Sequence, residues 1–399
     1  MGIETIAARE AAHFLPVVRR LPVALVEGRG SRVRDVEGRE YTDLTAGWGV
    51  TALGHCHPEL VEAIREQAGR LMQTTNLFYT LPQLDVIERL AALTPPEITR
   101  SFLVSSGAEA MEGAVKLAHR ATGRRKYVST ENAFHGRTLG ALGVMGQEKH
   151  RGPYRALLPE AVVVPFGDAD AAARAVDEET AAFIVEPIQG EGGVNVPPDG
   201  YLRRLREITR ARGALLVFDE IQTGIGRTGR MFALEHEGVC PDVLTLGKGL
   251  GGGFPVAAFL ATEAVSETVQ LGDHGGTYAG NPLAAAAARA VLTVVERDKL
   301  PERAAELGDR LGRRLAAFSA ERPDLALEAR GRGLLQGLVL ADADAAATLP
   351  RRALDRGVLV NLTAGRVMRL FPALNIPEDE LWPALDALLE LIAEGGARR

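Results

Sequence analysis

The sequence predicts an α/β protein in which a large domain holds a mostly parallel central sheet. Both termini together are expected to form a smaller α+β domain. Two observations support this fold class. Short apolar runs typical of buried strands alternate with longer amphipathic stretches typical of helices, an arrangement that favours a parallel sheet with helices on both faces. The chain of 399 residues is also too long for one small core.

The predicted strands of the central sheet are short and almost entirely apolar. They are Phe102–Ser105, Lys126–Ser129, Val162–Pro165, Ala182–Pro187, Leu215–Asp219 and Val243–Leu246. Between them lie helical patterns such as Ala108–Thr122 and Gly200–Arg212. A sheet of this kind binds ligands at the carboxyl ends of its strands, so polar residues at those ends are the first functional candidates.

The two ends of the chain show different patterns. Val33–Asp43 alternates around a Glu37-Gly38 turn and predicts a hairpin. An alanine-rich run, Leu283–Val295, predicts a buried helix, and amphipathic helix follows, with short strands near Leu334–Leu340 and Val358–Val360. We therefore expect a large domain over residues 45–282, and a small domain formed by residues 1–44 and 283–399.

Composition excludes several classes of function. The net charge of −6 argues against a nucleic-acid binder, which needs a basic surface to displace counterions. The first ten residues contain no apolar segment typical of a secretory signal, and no uninterrupted apolar run is long enough to span a membrane. With two cysteines far apart in sequence, a reduced cytoplasmic protein is the expectation.

Lys248 has surroundings unlike those of the other lysines. The chain has five lysines among 46 basic residues, and four of them lie in charged or helical segments. Lys248 instead follows an apolar strand and lies in the glycine-rich segment TLGKGLGGG. Burial destabilises an ammonium group and so favours the neutral, nucleophilic amine that forms imines.

Two further segments fit the same chemistry. The segment SSGAEA at residues 105–110 joins a strand to a helix, where free N–H groups favour an anion such as phosphate. Asp219 ends an apolar strand, and a buried carboxylate needs a cationic partner such as a protonated pyridine nitrogen. Each of these features alone is a weak signal. SSGAEA is also typical of an ordinary turn, Asp219 of a structural salt bridge, and Lys248 of a surface lysine in a glycine-rich loop. Together they supply what pyridoxal 5′-phosphate requires.

The sequence resembles the class III (ω-amino-acid) aminotransferases of pyridoxal-phosphate fold type I along essentially its whole length. The motifs that carry the resemblance are, in order, LTAGWGVTALGHCHPEL, SSGAEA, AFHGRT, VEPIQGEGG, LLVFDEIQTGIGRTG, TLGKGLGGGFP, GGTYAGNPLA and VMRLFPALNI. The resemblance implies a homodimer with its active sites at the subunit interface.

The resemblance also assigns cofactor residues. Lys248 would form the imine, Asp219 would pair with the pyridine nitrogen and Gln222 would bond the ring 3-oxygen. The phosphate would be held by the backbone N–H groups of Gly107 and Ala108, and Phe134 would stack on the ring. Thr277 would reach the phosphate of the other subunit's cofactor. Where the family often has threonine this chain has Ala108, so a side-chain contact to phosphate is lost there.

Three residues match the family's substrate contacts. By resemblance, Arg369 binds the α-carboxylate of 2-oxoglutarate or glutamate, since a guanidinium fork suits a carboxylate. Arg137 binds the distal carboxylate and the carboxylate of the amino donor. Glu191 pairs with the α-carboxylate arginine when the donor is bound.

The choice of donor rests on finer similarity. Several segments most resemble acetylornithine aminotransferases, which predicts acetylornithine and 2-oxoglutarate as substrates and a role in arginine biosynthesis. The SGAEA loop is closer to 4-aminobutyrate aminotransferases, and ornithine or carrier-linked lysine donors stay open. Aminomutases and decarboxylases share the scaffold, and a non-catalytic regulator is a remote alternative. His55 and His57 are too few for a zinc site, so no metal is expected.

Overall fold

The structure, a computed structural model, describes residues 1–396 of the chain. Its strands, in chain order, are β1 (Leu25–Arg29), β2 (Arg32–Asp35), β3 (Glu40–Asp43), β4 (Ile98–Val104), β5 (Lys126–Thr130), β6 (Ala161–Val164), β7 (Thr180–Val185), β8 (Leu215–Asp219), β9 (Val243–Leu246), β10 (Ala257–Thr262), β11 (Ala326–Arg332), β12 (Leu335–Leu340), β13 (Val358–Leu359), β14 (Asn361–Thr363) and β15 (Val367–Leu370).

The helices, also in chain order, are α1 (Ile3–Ala11), α2 (Ala46–Gly49), α3 (Pro58–Ala68), α4 (Leu81–Leu93), α5 (Gly107–Thr122), α6 (Leu139–Gly143), α7 (Glu148–Arg151), α8 (Ala169–Ala175), α9 (Tyr201–Arg212), α10 (Glu263–Ser266), α11 (Pro282–Arg297), α12 (Leu300–Glu321), α13 (Ala343–Leu354) and α14 (Glu378–Gly396). Short 3-10 turns span Gly152–Leu157, Ala233–His236 and Lys248–Gly251. The turn α2 is unusual because Gly47 and Trp48 inside it have left-handed backbone angles.

The central sheet confirms the predicted fold class. Within residues 1–396 its order is β4-β10-β9-β8-β7-β5-β6, and the strands from β6 to β9 pair in parallel. Strand β10 was not predicted, and it runs antiparallel to both of its neighbours. All residues of β7 are buried, which explains its continuous apolar sequence.

Side chains on the two faces of the sheet enter different cores. Phe183 and Phe218 belong to one apolar cluster together with residues of α9, such as Leu205. Ile184 and Val217, their neighbours in sequence, belong to the other cluster together with residues of α5. Because successive strand residues point to opposite faces, helices cover the sheet on both sides.

The functional candidates lie at the carboxyl ends of β8 and β9. Asp219 is the last residue of β8 and pairs in register with Thr245 of β9. Lys248 follows β9 by two residues, so the parallel pairing brings Asp219 and Lys248 to the same edge of the sheet.

The ends of the chain meet in a small sheet. Strands β2 and β3 form the predicted hairpin, and Gly38 in its turn has a φ of 82°. Strand β3 also pairs in parallel with β13 from the C-terminal part, which supports a small domain built from both ends. The domain boundaries at 44/45 and 282/283 stay predictions.

Helix α11 is the buried alanine-rich helix that the sequence predicted. It packs against α3 and α4, which lie on the large-domain side of the predicted boundary. In the part of the chain that the structure describes, no helix has the length and apolar character needed to cross a lipid bilayer.

Candidate functional site

Lys248 opens the 3-10 turn after β9 with a φ of 40°, a left-handed conformation that non-glycine residues rarely adopt. Burial lowers the pKa of its amine to about 8. The negative charges of Glu191 and Asp219 oppose this lowering of the pKa, and the positive charge of Arg369 adds to it. A lysine with this pKa carries much more neutral amine near neutral pH than an exposed lysine does, as nucleophilic attack on a carbonyl requires.

Asp219 is 3% exposed and is held by three hydrogen-bond donors. One oxygen accepts from the backbone N–H of Ile221 at 3.0 Å and from the hydroxyl of Thr245 at 3.3 Å. The other lies 2.7 Å from Nδ1 of His135, which is also buried. Burial alone would lower the pKa of His135, but the hydrogen bond and the charge of Asp219 outweigh it and raise that pKa.

Glu186 is a second buried carboxylate in this region, directly after β7. It accepts hydrogen bonds from the backbone N–H groups of Phe134 at 2.9 Å and Gly190 at 3.1 Å. Burial raises its pKa to about 7. Neither Glu186 nor His135 was predicted from the sequence. The signal for Glu186 was the one that identified Asp219, a carboxylate at the end of an apolar strand.

The start of α5 is where the sequence predicts the anion site. Ser106 caps the helix, and Gly107 and Ala108 are its first two residues, whose N–H groups lie beyond reach of the helix's own carbonyls. A Cβ on Gly107 would lie 2.8 Å from the Ile221 side chain, so the close approach requires glycine. Gly247 packs on the same side chain, which places the start of the helix beside the Lys248 turn.

Arg369 lies on β15 and is fully buried. Its Nη1 donates to the Glu191 carboxylate at 2.8 Å and to the Gln222 amide oxygen at 3.2 Å, and its Nε donates to Asn361 at 2.9 Å. Gln222 also donates to Glu191 at 3.0 Å. Burial would raise the pKa of Glu191, but the charges of Arg369 and Lys248 lower it. Among the described residues, Nη2 of Arg369 has no hydrogen-bond partner.

The short strand β14 holds both members of this ion pair. Asn361 at its start accepts the hydrogen bond from Arg369, while the hydroxyl of Thr363 at its end donates to the backbone carbonyl of Glu191 at 2.5 Å. The loop that carries Glu191 is held further by Arg330, which donates to the carbonyl of Gly193 at 2.8 Å. Strands β11, β12, β15 and β14 form a third sheet in that order, and residues of this C-terminal sheet therefore position the pair on both sides.

Two predicted residues lie outside this network. Arg137 is exposed, with its guanidinium carbon 5.9 Å from the centre of the half-buried Phe134 ring. Thr277 is exposed, and its backbone carbonyl accepts from Gln73. Among the described residues, no hydrogen bond joins Thr277 to Lys248 or Asp219.

In the His55-Cys56-His57 segment, His55 takes part in a hydrogen-bond network around a buried carboxylate. His55 bonds the buried Asp43 at 2.8 Å, and that carboxylate also accepts from the backbone of Ala46 at 3.1 Å. Within residues 1–396, no group of three or more His, Cys, Asp or Glu side chains is arranged to hold a metal ion.

The donor set fits pyridoxal 5′-phosphate. The first turn of α5 suits the phosphate, and the buried Asp219 suits a protonated ring nitrogen. Phe134, whose backbone N–H is bound to Glu186, carries the aromatic ring that is predicted to stack on the cofactor. Lys248, with its lowered pKa, suits the aldehyde.

Comparison with known proteins identifies the family. The family model described as aminotransferase class-III matches residues 15–392. The acetylornithine aminotransferase of Methanopyrus kandleri is 48% identical over 384 residues, which cover 96% of this chain and 98% of that protein. The crystal structure of ornithine aminotransferase from Toxoplasma gondii has a TM-score of 0.95 and 34% identity, covering 100% of this chain and 97% of that one.

A second solved structure, the acetylornithine aminotransferase from Elizabethkingia anophelis, has a TM-score of 0.87 and 35% identity. The match covers 99% of this chain and 100% of the Elizabethkingia anophelis chain. Full-length similarity of this degree agrees with the sheet topology described above. The chain belongs to the class-III aminotransferase family.

Proposed function

We propose that this enzyme transfers the terminal amine of N²-acetylornithine to 2-oxoglutarate, giving N-acetylglutamate 5-semialdehyde and glutamate, with pyridoxal 5′-phosphate as cofactor. The observation that carries the proposal is the ion pair of the buried Arg369 with the half-buried Glu191, beside Lys248. An arginine that a nearby carboxylate can cover suits an enzyme that binds a donor without an α-carboxylate at the reacting carbon, and then a keto acid with one. Relatives named acetylornithine aminotransferase support the choice of donor.

Pyridoxal 5′-phosphate, when bound, supplies an aldehyde that condenses with amines and a ring that withdraws electrons from the carbon bearing the amine. Lys248 is proposed to carry the proton that moves during transfer, on Nζ, because its lowered pKa lets the amine accept and return a proton near neutral pH. Asp219 would keep a proton on the ring nitrogen by offering it a buried carboxylate, and Gln222 would bond the ring 3-oxygen.

The two arginines are proposed to divide the carboxylates between them. While acetylornithine reacts, Glu191 neutralises Arg369, and Arg137 binds the donor's carboxylate. When 2-oxoglutarate enters, its α-carboxylate takes the place of Glu191 at Arg369 in bidentate fashion, and Nη2 of the arginine offers a second donor for it. Arg137 then binds the distal carboxylate.

We further propose a homodimer in which Thr277 completes the phosphate site of the partner. Large apolar side chains are exposed on both sides of Thr277, at Leu271 and Tyr278. Others are exposed shortly after Gln73, the residue that bonds Thr277: Leu77, Phe78 and Tyr79. Exposed apolar surface of this extent is typical of protein interfaces. Both cysteines are free thiols, in keeping with a proposed cytoplasmic location.

A panel of amino donors tests the proposed function. With 2-oxoglutarate as acceptor, kcat/KM is measured for acetylornithine, succinylornithine, ornithine, 4-aminobutyrate and lysine. Acetylornithine should rank far above 4-aminobutyrate, and the opposite ranking would contradict the proposal. Omitting 2-oxoglutarate should abolish sustained turnover, whereas an aminomutase would continue without it.

Ornithine is the second candidate donor. The close structural similarity to ornithine aminotransferase favours it. The two donors differ in the charge on the α-nitrogen, which is a neutral amide in acetylornithine and an ammonium group in ornithine. A preference for ornithine in the panel would therefore show that the site accepts a cation where acetylornithine carries its acetyl group.

A further inference from the structure

The ring of Phe371 lies next to two buried arginines. The guanidinium carbon of Arg369 is 5.3 Å from the ring centre, and that of Arg227 is 4.5 Å from it. The exposed fractions are 1% for Phe371, 2% for Arg227 and 0% for Arg369. Both cations are within the distance at which an aromatic face attracts a positive charge. Both are also shielded from water, and this attraction is strongest between groups that water does not reach.

Arg227 is held by carbonyl groups and not by a carboxylate. Its Nη1 donates to the carbonyls of Leu334 at 2.9 Å and Pro372 at 2.6 Å, and its own carbonyl accepts from the N–H of Leu334 at 3.0 Å. Burial lowers the pKa of its guanidinium to about 9, and no ion pair within residues 1–396 offsets that burial. A buried cation without a counterion is unfavourable for stability, so a positioning role explains its presence better than a folding role.

Phe371 is fixed from the other elements around it. Its N–H donates to the carbonyl of Leu44 at 2.8 Å. A Cβ on Gly49 would lie 2.4 Å from Cζ of the ring, so the left-handed turn α2 brings bare backbone against the ring edge. Arg227, the N-terminal segment and β15 together leave the ring little freedom to rotate.

Arg369 needs such a support because its polar partners change during the proposed reaction. Asn361 bonds only Nε, and the bond to Glu191 must break when a keto-acid carboxylate arrives. The bond from Nη1 to Gln222 at 3.2 Å can persist, and the ring face of Phe371 is the apolar contact that helps to define the plane of the guanidinium group. A bidentate carboxylate requires that plane to be oriented before it binds.

We propose that Phe371, fixed by Arg227, is a positioning residue that orients the guanidinium of Arg369 for the α-carboxylate of the keto acid. This inference rests on the proposed function, in which Arg369 binds that carboxylate. It assigns Phe371 and Arg227 to the keto-acid half of the reaction, and the donor half depends on neither.

The test uses the variants Phe371→Leu and Arg227→Lys of the holoenzyme, with glutarate as a non-reacting dicarboxylate probe. Leucine keeps the site apolar but removes the aromatic face, and lysine keeps the charge but loses the fork that bonds two carbonyls. By calorimetry, Phe371→Leu should weaken glutarate binding about tenfold. The KM for 2-oxoglutarate should rise in parallel, while kcat and the rate of the donor half-reaction stay unchanged.

A double variant and a matched control complete the design. If Arg227 acts through Phe371, adding Arg227→Lys to Phe371→Leu should weaken glutarate binding no further. Phe318→Leu removes a half-buried aromatic ring from α12 and should leave glutarate binding unchanged. If Phe371→Leu does not fold, the affinity of Arg227→Lys for glutarate tests the inference by itself.

The outcomes separate this inference from the proposed function. Unchanged glutarate affinity in Phe371→Leu and Arg227→Lys, equal losses in both half-reactions, or no glutarate binding by the unaltered enzyme would each overturn the inference. If glutarate affinity falls as expected but acetylornithine is not a substrate, the positioning role stands and the proposed donor is wrong.

Discussion

Replacing His135 should reveal how strongly the buried carboxylate of Asp219 depends on it. The imidazole lies 2.7 Å from one oxygen of Asp219, and both side chains are buried. In His135→Leu that oxygen loses its partner, while the other keeps the bonds from Ile221 and Thr245. Loss of a buried hydrogen bond to a charged group lowers the free energy of unfolding by about 1.5–3 kcal/mol.

The effect should depend on pH in a defined direction. Because the pKa of His135 is raised in the folded protein, its protonated form adds stability that is fully present below the unfolded pKa of about 6.5. That contribution is lost as pH rises through the folded pKa. The acidic groups that act on the imidazole are Asp219 and Glu186, and burial raises the pKa of Glu186 to about 7. Substitutions of His135 leave both carboxyl groups in place.

The assay is urea unfolding of the apoprotein at one fixed protein concentration, followed at about pH 5.5 and about pH 8.5. His135→Leu should fall further below the unaltered protein at the lower pH. His135→Asn, whose amide can donate from nearly the position of Nδ1, should recover part of the loss. The reasoning is refuted if the leucine variant matches the unaltered protein at both pH values, or if its deficit grows with pH.

Three further predictions follow from the site. The rate at which the apoprotein captures pyridoxal 5′-phosphate, followed by visible absorbance, should rise through about pH 8, and a midpoint near the usual lysine pKa of about 10.4 would contradict the burial of Lys248. Lys248→Ala should still bind the cofactor but lose turnover by about three orders of magnitude or more, and near-normal kcat would exclude its proposed role. Glu191→Gln should lower the KM for 2-oxoglutarate and raise that for acetylornithine, because Arg369 loses its covering charge; a shift of both in one direction would argue against the pairing switch.

The sequence predicted the bounds of two central strands correctly, because each is an apolar run with a clear end. Leu215–Asp219 and Val243–Leu246 are apolar runs that stop at a polar residue or a glycine, and the structure has the same bounds. Strand β10 was missed because Ala257–Thr262 is rich in alanine, lies shortly after a glycine-rich turn and has no strong strand signal. Its antiparallel direction depends on where the chain turns in space, which local sequence does not encode.

Within the site, the residues that were missed act through partners distant in sequence. His135 and Asp219 are 84 positions apart, and only the fold brings them to 2.7 Å. Conversely, Lys248 was recognisable because a lysine between glycines after an apolar strand is locally unusual. Phe371 carried no signal, since an aromatic residue next to a buried strand is ordinary until its neighbours are known to be Arg227 and Arg369.

Strand β14 has a consequence for motion between the two parts of the molecule. Arg369 is tethered to it through Asn361, and the backbone of Glu191 is tethered through Thr363. If the sheet β11-β12-β15-β14 shifts when substrates bind, both members of the ion pair move with it, and the distance between them does not change. Exchange between the covered and uncovered states of Arg369 is then a side-chain rotation of Glu191. It can run at rotamer speed and need not wait for slower rigid-body movement.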